Sequence, residues 1–497
     1  LTIPETQAEV VAFLRKILGN TPLLKETHIS IVLIGQDTVF KVKKAVRLSF
    51  LDFSELSARK HFIFREFELN RQAAPGLYRD VVAVVRKQDG SLALGGTGEA
   101  VEWVLRMARV PDGDFLDQIA ARGALSAELL DALADAVADY HERLPPVSGI
   151  NHFAAMRRIA EGNVVSARDA GLPEAGIRLW EERIRTHLQR RQDYLLARAE
   201  AGRIRRCHGD LHLGNLCLWQ GRIVPFDALE FDEALATIDV GYDLAFLLMD
   251  LEHRLGRAAA NRVLNRYLAR TGDWSLVGGL PVFLSIRAMV RAHVQAKQGL
   301  EADASAYLAA ALDYLAPPRA VVLAIGGLPG VGKSSLARII APELGPAPGA
   351  VILRSDEIRK RLHGALPEQP LPPSAYQPAA DAAVAEELIR GVSIVAGEGH
   401  AAIADATFLN LSLRKRLAEQ AKSHGWPWLG VWLTAPLPVL ESRIRGRQRD
   451  ASDADIAVLH RAYASDPGPG DWTVISAEEK ETAVASLRSA LQGAGLL

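Results

Sequence analysis

The chain has 497 residues, too many for one hydrophobic core, which sets an expectation of about two to four domains. Hydrophobic content of 49%, a mean hydropathy of +0.05 and 58 basic against 59 acidic side chains leave no global field that would draw it to nucleic acid or a membrane surface. Two cysteines, Cys207 and Cys217, exclude a disulfide framework, and no apolar run approaches the roughly 18 residues that span a bilayer, so a cytoplasmic protein is expected.

In chain order, residues 4–18 read as a helix. Strands are expected at 28–34 and 38–43, parted by the turn Gly35-Gln36-Asp37. A helix over 54–73 follows, then strands at 81–86 and 100–107 with Asp89-Gly90 as the hairpin turn between strands. From Asp114 the pattern is mostly helical, broken by strand signals near 204–208, 216–219 and 223–226. This describes a small sheet lobe followed by a larger helical lobe. The pair Pro317-Pro318, after an alanine-rich helix, cannot continue that helix and places a boundary between domains 1–316 and 317–497. Beyond it, strands at 321–325, 351–354, 402–405, 429–433 and 472–475 alternate with helices, the pattern of a parallel sheet with crossover helices.

Residues 207–215 read Cys-His-Gly-Asp-Leu-His-Leu-Gly-Asn. Asp210 followed five residues later by Asn215 has the spacing of a phosphotransferase catalytic loop, where the Asp accepts the acceptor's hydroxyl proton and the Asn holds a metal. Val224-Pro225-Phe226-Asp227 then ends an apolar strand in a carboxylate, the place for a main Mg²⁺ ligand. Together with Gly241-Tyr242-Asp243-Leu244-Ala245, these segments closely resemble aminoglycoside phosphotransferase-like kinases, over roughly residues 25–310. The resemblance implies a bilobal, protein-kinase-like α+β domain, with Asp210 as base, Asn215 and Asp227 as Mg²⁺ ligands, and Asp239 and Asp243 as structural supports. His212 matches the same motif and is expected to fix the loop.

The nucleotide lysine belongs on the strand 38–43, paired with a helix glutamate. Lys41 and Lys43 share one face, so alternation leaves both open, and the triplet Phe40-Lys41-Val42 favours Lys41. Glu66 and Glu68 compete as its partner, with Glu66 favoured. Gly35 alone marks the hairpin where related kinases carry a glycine-rich lid. Further on, Arg287 and Arg291 lie four apart on one helix face, either as a fork for an anionic acceptor or as an ordinary solvated face.

Residues 326–335, Gly-Gly-Leu-Pro-Gly-Val-Gly-Lys-Ser-Ser, match the phosphate loop G-x-x-x-x-G-K-[ST] between a strand and a helix. Gly327, Gly330 and Gly332 let backbone N–H groups converge on phosphate oxygens, and the helix opening at Ser335 adds its positive dipole end. Lys333 reaches the β- and γ-phosphates of ATP or GTP, and the Ser334 hydroxyl holds Mg²⁺. Asp356 and Arg359 follow the second strand, and Asp405 ends the third, facing the crevice where ligands bind in such sheets. Arg443, Arg445, Arg447 and Arg449 then crowd one short run, as a mobile lid over phosphates or as a solvated helix end. Together these resemble the P-loop small kinases that include zeta-toxin-like and polynucleotide-kinase-like enzymes, over residues 320–497, and imply an α/β P-loop NTPase domain with a parallel sheet. By that resemblance Asp356 is the base and Arg359 binds substrate or the transferring phosphate. Asp405 contacts substrate or metal-bound water, and Arg447 or Arg449 is the lid arginine.

The sequence thus describes a bifunctional ATP-dependent kinase, each half phosphorylating a hydroxyl of a small-molecule acceptor, an anionic one if the Arg287/Arg291 fork is real. The balanced charge argues against long nucleic acid. The alternatives are a C-terminal half acting on a nucleic-acid 5′-hydroxyl or a nucleotide sugar, and a nucleotide-sensing regulator with one inactive half.

Overall fold

A computed structural model describes residues 3–19, 22–48, 51–447 and 450–497. They form two compact units, one of Leu1–Ser126, Tyr140–Ile150 and Gly202–Asp243, the other of Ala127–Asp139, Asn151–Ala201 and Leu244–Leu497. In fold class the chain is a protein-kinase-like α+β region followed by an α/β P-loop NTPase region with a parallel sheet.

In the first unit, β1 (Leu23–Glu26), β2 (Ser30–Ile34), β3 (Thr38–Lys43), β4 (Tyr78–Arg86), β5 (Leu92–Leu94) and β6 (Glu99–Ala108) make an antiparallel sheet in the order β1-β2-β3-β6-β4-β5. Alternation in β3 sends Phe40 and Val42 into a core with Ile31, Leu33, Val84 and Val104, closed by Val10, Val11 and Leu14 of α1 (Ala8–Ile17). Lys41 and Lys43 therefore take the opposite face, the one covered by α2 (Leu56–Asn70). The Asp89-Gly90 turn joins β4 to the short β5, not to the strand expected at 100–107. Leu92-Ala93-Leu94 is too brief for its alternation to register, yet it pairs with residues 84–86 before the chain returns as β6. Among the described residues three small antiparallel pairs complete the unit: Arg47–Leu48 with Leu51–Asp52, β7 (Ile204–Arg206) with β10 (Thr237–Asp239), and β8 (Leu216–Trp219) with β9 (Arg222–Pro225).

The second unit holds β11 (Val321–Gly327), β12 (Val351–Arg354), β13 (Ala401–Asp405), β14 (Trp428–Thr434) and β15 (Thr473–Ser476) as a parallel sheet ordered β12-β13-β11-β14-β15. Every residue of β11 is buried, as expected of a central strand covered on both faces. Because β11 is central and flanked by β13, the phosphate loop leaving β11 emerges beside the carboxyl end of β13. The outer edge of β12 is bonded by α3 (Arg257–Thr271): Asn265 Oδ1 accepts from the Ile352 amide at 2.6 Å, and Asn265 Nδ2 and Asn261 Nδ2 donate to Ala350 O at 3.1 and 3.0 Å. Among the described residues no helix is long and apolar enough to cross a membrane.

His400 sits just before β13, 1% exposed, and burial pushes its imidazole down to about 4. The unfolded chain, with an imidazole near 6.5, takes up the proton first as pH falls. Stability from this group is therefore present above pH 6.5 and drains away toward pH 4, by roughly 3 kcal/mol at the acid end. His400→Gln should remove that slope. The difference in urea unfolding free energy between wild type and variant should change by about that amount between pH 7 and pH 4. A difference that stays constant with pH would discard the assignment.

Candidate active sites

The first site lies within the first unit. Lys41 Nζ is 2.7 Å from Glu66 Oε1 and 2.5 Å from Asp227 Oδ1. Lys43 Nζ is 2.6 Å from Glu66 Oε2 and also bonds Glu230. One buried glutamate on α2 thus holds both lysines, one per oxygen. Lys41 reaches on to Asp227, whose side chain is 40% exposed, whereas Lys43, 1% exposed, is closed off by Glu230. Glu68 stands away from this cluster, 59% exposed and 3.9 Å from Arg65. Burial works against the charge on Lys41, but Asp227 and Glu66 outweigh it and raise its pKa well above the usual value. Burial likewise opposes the Asp227 carboxylate, and Lys41 and Lys43 hold its pKa below the usual range.

Backbone geometry sets the carboxylate's aim. Asp227 has φ +62°, a left-handed conformation that Asp tolerates better than most residues. Its amide donates to Tyr78 Oη at 2.9 Å, and the Ala228 amide donates to Asn70 Oδ1 at 3.0 Å. Asn70 Nδ2 in turn bonds Glu66 O at 2.8 Å, so α2 supplies both the Lys41 partner and the anchor of the Asp227 turn.

The loop 207–215 is braced from both sides. Asn215 Nδ2 donates to Asp210 O and Oδ2, both at 2.9 Å, and His212 Nε2 lies 3.5 Å from Asp210 Oδ2. Asp243 accepts from the amides of His208 at 3.1 Å and Gly209 at 2.9 Å, and sits 3.2 Å from His141 Nε2. His141, Cys207 and Asp243 are close enough to suggest a metal trio. Both Asp243 oxygens accept backbone donors, so its carboxylate ties down the turn at His208-Gly209. His208 Nδ1 accepts from the Asp210 amide at 3.3 Å, which leaves Nε2–H to donate to Phe226 O at 2.9 Å. Burial lowers the His208 pKa, keeping it neutral as that tautomer requires.

The second site lies within the second unit, in a cavity of about 920 Å³ around the phosphate loop. Gly327 has φ +138°, and a Cβ there would stand 2.7 Å from Leu433 O; at Gly330 it would stand 2.9 Å from Leu440 O. Gly332 ends the loop at the N-terminus of α5, counting α4 as Leu280–Lys297 and α5 as Lys333–Ile340. Lys333 Nζ folds back onto Gly327 O at 2.9 Å and Leu328 O at 3.1 Å, and burial lowers its pKa. Ser334 bonds Asp405, whose pKa burial raises against Arg354 and Lys333. Ser335, Asp356, Arg359, Asp405 and Arg447 all line the same cavity. Arg359, on α6 (Ser355–Leu362), bonds Ala375 O and Asp381, each at 2.7 Å, and covers the Tyr376 ring at 4.9 Å. Arg447 lies 3.7 Å from Asp450, and Arg449 falls outside the described residues.

Two arginines take places that the sequence did not assign: there Arg443 is only one of a run of four, and Arg354 has no role. Arg443 donates to Val331 O at 3.2 Å and Glu478 O at 2.8 Å, so it touches the phosphate loop itself. Its spacing of four from Arg447 was the available signal, while Arg445 faces out at 64% exposure. Arg354, 5% exposed, bonds Asp450 and lies 3.7–3.9 Å from Glu357, Asp405 and Asp356. As the last residue of an apolar strand it carried no motif to flag it.

Arg287 and Arg291 do not converge as one fork. Arg287 is 5% exposed on α4 with its guanidinium 4.7 Å from the Phe246 ring, while that of Arg291 lies 5.8 Å from the Tyr307 ring. The two guanidiniums thus lie against rings on different helices, where a cation over an aromatic face is favoured.

Residues 52–280 match the phosphotransferase enzyme family, and residues 322–465 match the AAA domain family. Uncharacterised proteins of Mycobacterium tuberculosis and Mycobacterium bovis are 30% identical over 468 residues, covering 90% of this chain and 90% of theirs. Solved structures similar to the chain include a choline/ethanolamine kinase family protein from Mesorhizobium loti, with 12% identity, 63% of this chain and 96% of that chain covered, and a TM-score of 0.39. Another is aminoglycoside phosphotransferase APH(4)-Ia, with 13% identity, 62% and 97% covered, and a TM-score of 0.37.

Proposed function

The chain belongs to the same family as these mycobacterial proteins, with a phosphotransferase-enzyme-family region followed by an AAA-domain region, and we propose that it is a bifunctional kinase with one active site in each. Each site would transfer the γ-phosphoryl group of ATP or GTP to a hydroxyl of a small molecule. The observation that supports this reading is two separate clusters of residue types suited to phosphates, Lys41–Glu66–Asp227 in one unit and the Gly327–Lys333 loop in the other.

In the first site Asp210 takes the proton of the attacking hydroxyl, with Asn215 and His212 fixing its orientation. Lys41 is positioned for the nucleotide phosphates by Glu66. In the second site Asp356 would play the base, with Lys333 leaving its carbonyl partners for the phosphates. The donor sets consist of oxygen atoms, from Asn215 and Asp227 in one site and Ser334 in the other, which suits Mg²⁺ rather than a thiolate-seeking metal. When bound, Mg²⁺ neutralises charge on the phosphates and orients them.

Two sites make a direct prediction. Calorimetry with a nonhydrolysable ATP analogue should resolve two binding events in the wild type and one in Lys333→Ala. A single event in the wild type would end the two-kinase reading.

A further inference from the structure

We propose that Lys43 and Glu230 are positioning residues of the first site: they hold Glu66 by its far oxygen, so that Lys41 is shared between Glu66 and Asp227 and can be released to the phosphates of a metal-bound nucleotide. This rests on the kinase reading of that site and names the device that sets its nucleotide affinity. Five side chains alternate in sign, Asp227, Lys41, Glu66, Lys43 and Glu230, each paired with the next. The two ends of this row lie three residues apart on one segment. The row therefore closes into a ring that ties β3, α2 and residues 227–230 together.

The segment that carries both end carboxylates is held along its backbone. The Phe226 amide donates to Asn215 O at 3.0 Å and the Leu229 amide to His208 O at 2.9 Å, on either side of the Asp227 and Ala228 bonds to Tyr78 and Asn70. Glu230 thus presents its carboxylate to Lys43 from a fixed position. Lys43 is 1% exposed, with its ammonium 5.9 Å from the Phe53 ring, too enclosed to touch a nucleotide. Burial opposes its charge, but Glu66 and Glu230 outweigh burial and raise its pKa. Glu66 Oε2 meets Lys43 as an ion pair at 2.6 Å and makes no aligned hydrogen bond, so Lys43 is what compensates that buried oxygen.

Three carboxylates against two ammoniums leave one negative charge in the ring. Asp227 is its most open member, at 40% against 12% for Lys41 and 5% or less for the other three, so the ring faces solvent at the carboxylate suited to a divalent cation. Removing the charge of Glu230 changes this division. Lys43 would then rest on Glu66 alone and draw that carboxylate away from Lys41. Lys41 would lean on Asp227 instead, and a carboxylate that pairs with the lysine is withheld from the metal. Nucleotide binding should weaken through Lys41 rather than through packing, because Gln has nearly the volume of Glu.

The test uses the full chain carrying Lys333→Ala, which silences the second site, and calorimetric binding of a nonhydrolysable ATP analogue in the presence of Mg²⁺. Glu230→Gln should weaken binding about ten- to hundredfold, the usual worth of a hydrogen bond to a charged group, and raise the Mg²⁺ concentration at half-saturation. Glu230→Asp keeps the charge one methylene shorter. It should recover part of the loss, and it carries the same comparison if Glu230→Gln does not fold. In a Lys41→Met background, Glu230→Gln should change affinity by less than about twofold, since the residue through which it acts is gone. A merely structural Glu230 would lower the urea midpoint and weaken binding by the same factor with or without Lys41, and that result overturns the proposal. Unchanged affinity or an unmoved Mg²⁺ requirement in Glu230→Gln overturns it as well. If Lys41→Met alone leaves analogue binding intact, the kinase reading of the first site falls instead.

Discussion

Asp210→Asn should lower turnover at the first site by roughly 10²–10⁴-fold, the usual worth of a general base, while leaving nucleotide affinity nearly unchanged. The substitution keeps the shape of the side chain and the Asn215 contact at 2.9 Å, so the loop should hold its form. What it removes is the anion that, on the proposed mechanism, receives the proton. Its neighbours isolate that effect: Asp243 fixes the loop through the His208 and Gly209 amides, and Asp227 engages Lys41, and neither is altered. The measurement is single-turnover transfer in a Lys333→Ala background, so that the second site contributes nothing, with calorimetry on the same protein for the nucleotide. Unchanged turnover would take Asp210 out of the mechanism. A loss of nucleotide binding in parallel would instead assign it to holding the loop.

The parts of both sites that were legible in the sequence are those fixed by local spacing. The catalytic loop, the phosphate loop and the strand-end carboxylates each lie within a few residues, where one turn or one strand end determines the geometry. Alternation along β3 correctly put Lys41 and Lys43 on one face, but it could not show that Glu66 would take both, one on each oxygen. Nor could it reveal Glu230, which closes Lys43 off from 187 residues away in sequence. The Arg287/Arg291 spacing was real, yet which ring each guanidinium meets depends on the packing of separate helices. Arg354 illustrates the same limit, since a single arginine ending an apolar strand has meaning only once four carboxylates gather around it.

The proline pair at 317–318 marks a change of pattern in the chain, yet residues on its two sides share one compact unit. α3 precedes the prolines and bonds the edge strand that follows them. Arg266 of the same helix pairs with Asp135 at 2.7 Å and Glu368 at 2.5 Å, and Arg361 of α6 lies 5.0 Å over the Trp274 ring while both bond Glu387. The P-loop site thus leans on residues that its own motifs do not contain. Asn265→Ala should therefore destabilise the second unit by roughly 2–5 kcal/mol, because it leaves the buried Ile352 amide without its acceptor and takes one donor from Ala350 O. That is a large share of the 5–15 kcal/mol, or about that, by which a domain is usually held. Urea unfolding followed by tryptophan fluorescence would read the total, and hydrogen exchange at Ile352 would report the edge itself. Asn265→Asp offers the contrast: it keeps an oxygen for the amide but loses the donor, so Ile352 should remain protected while stability still falls. If Asn265→Ala leaves both stability and Ile352 exchange unmoved, the edge of β12 is held by the packing of α3 and not by its asparagines.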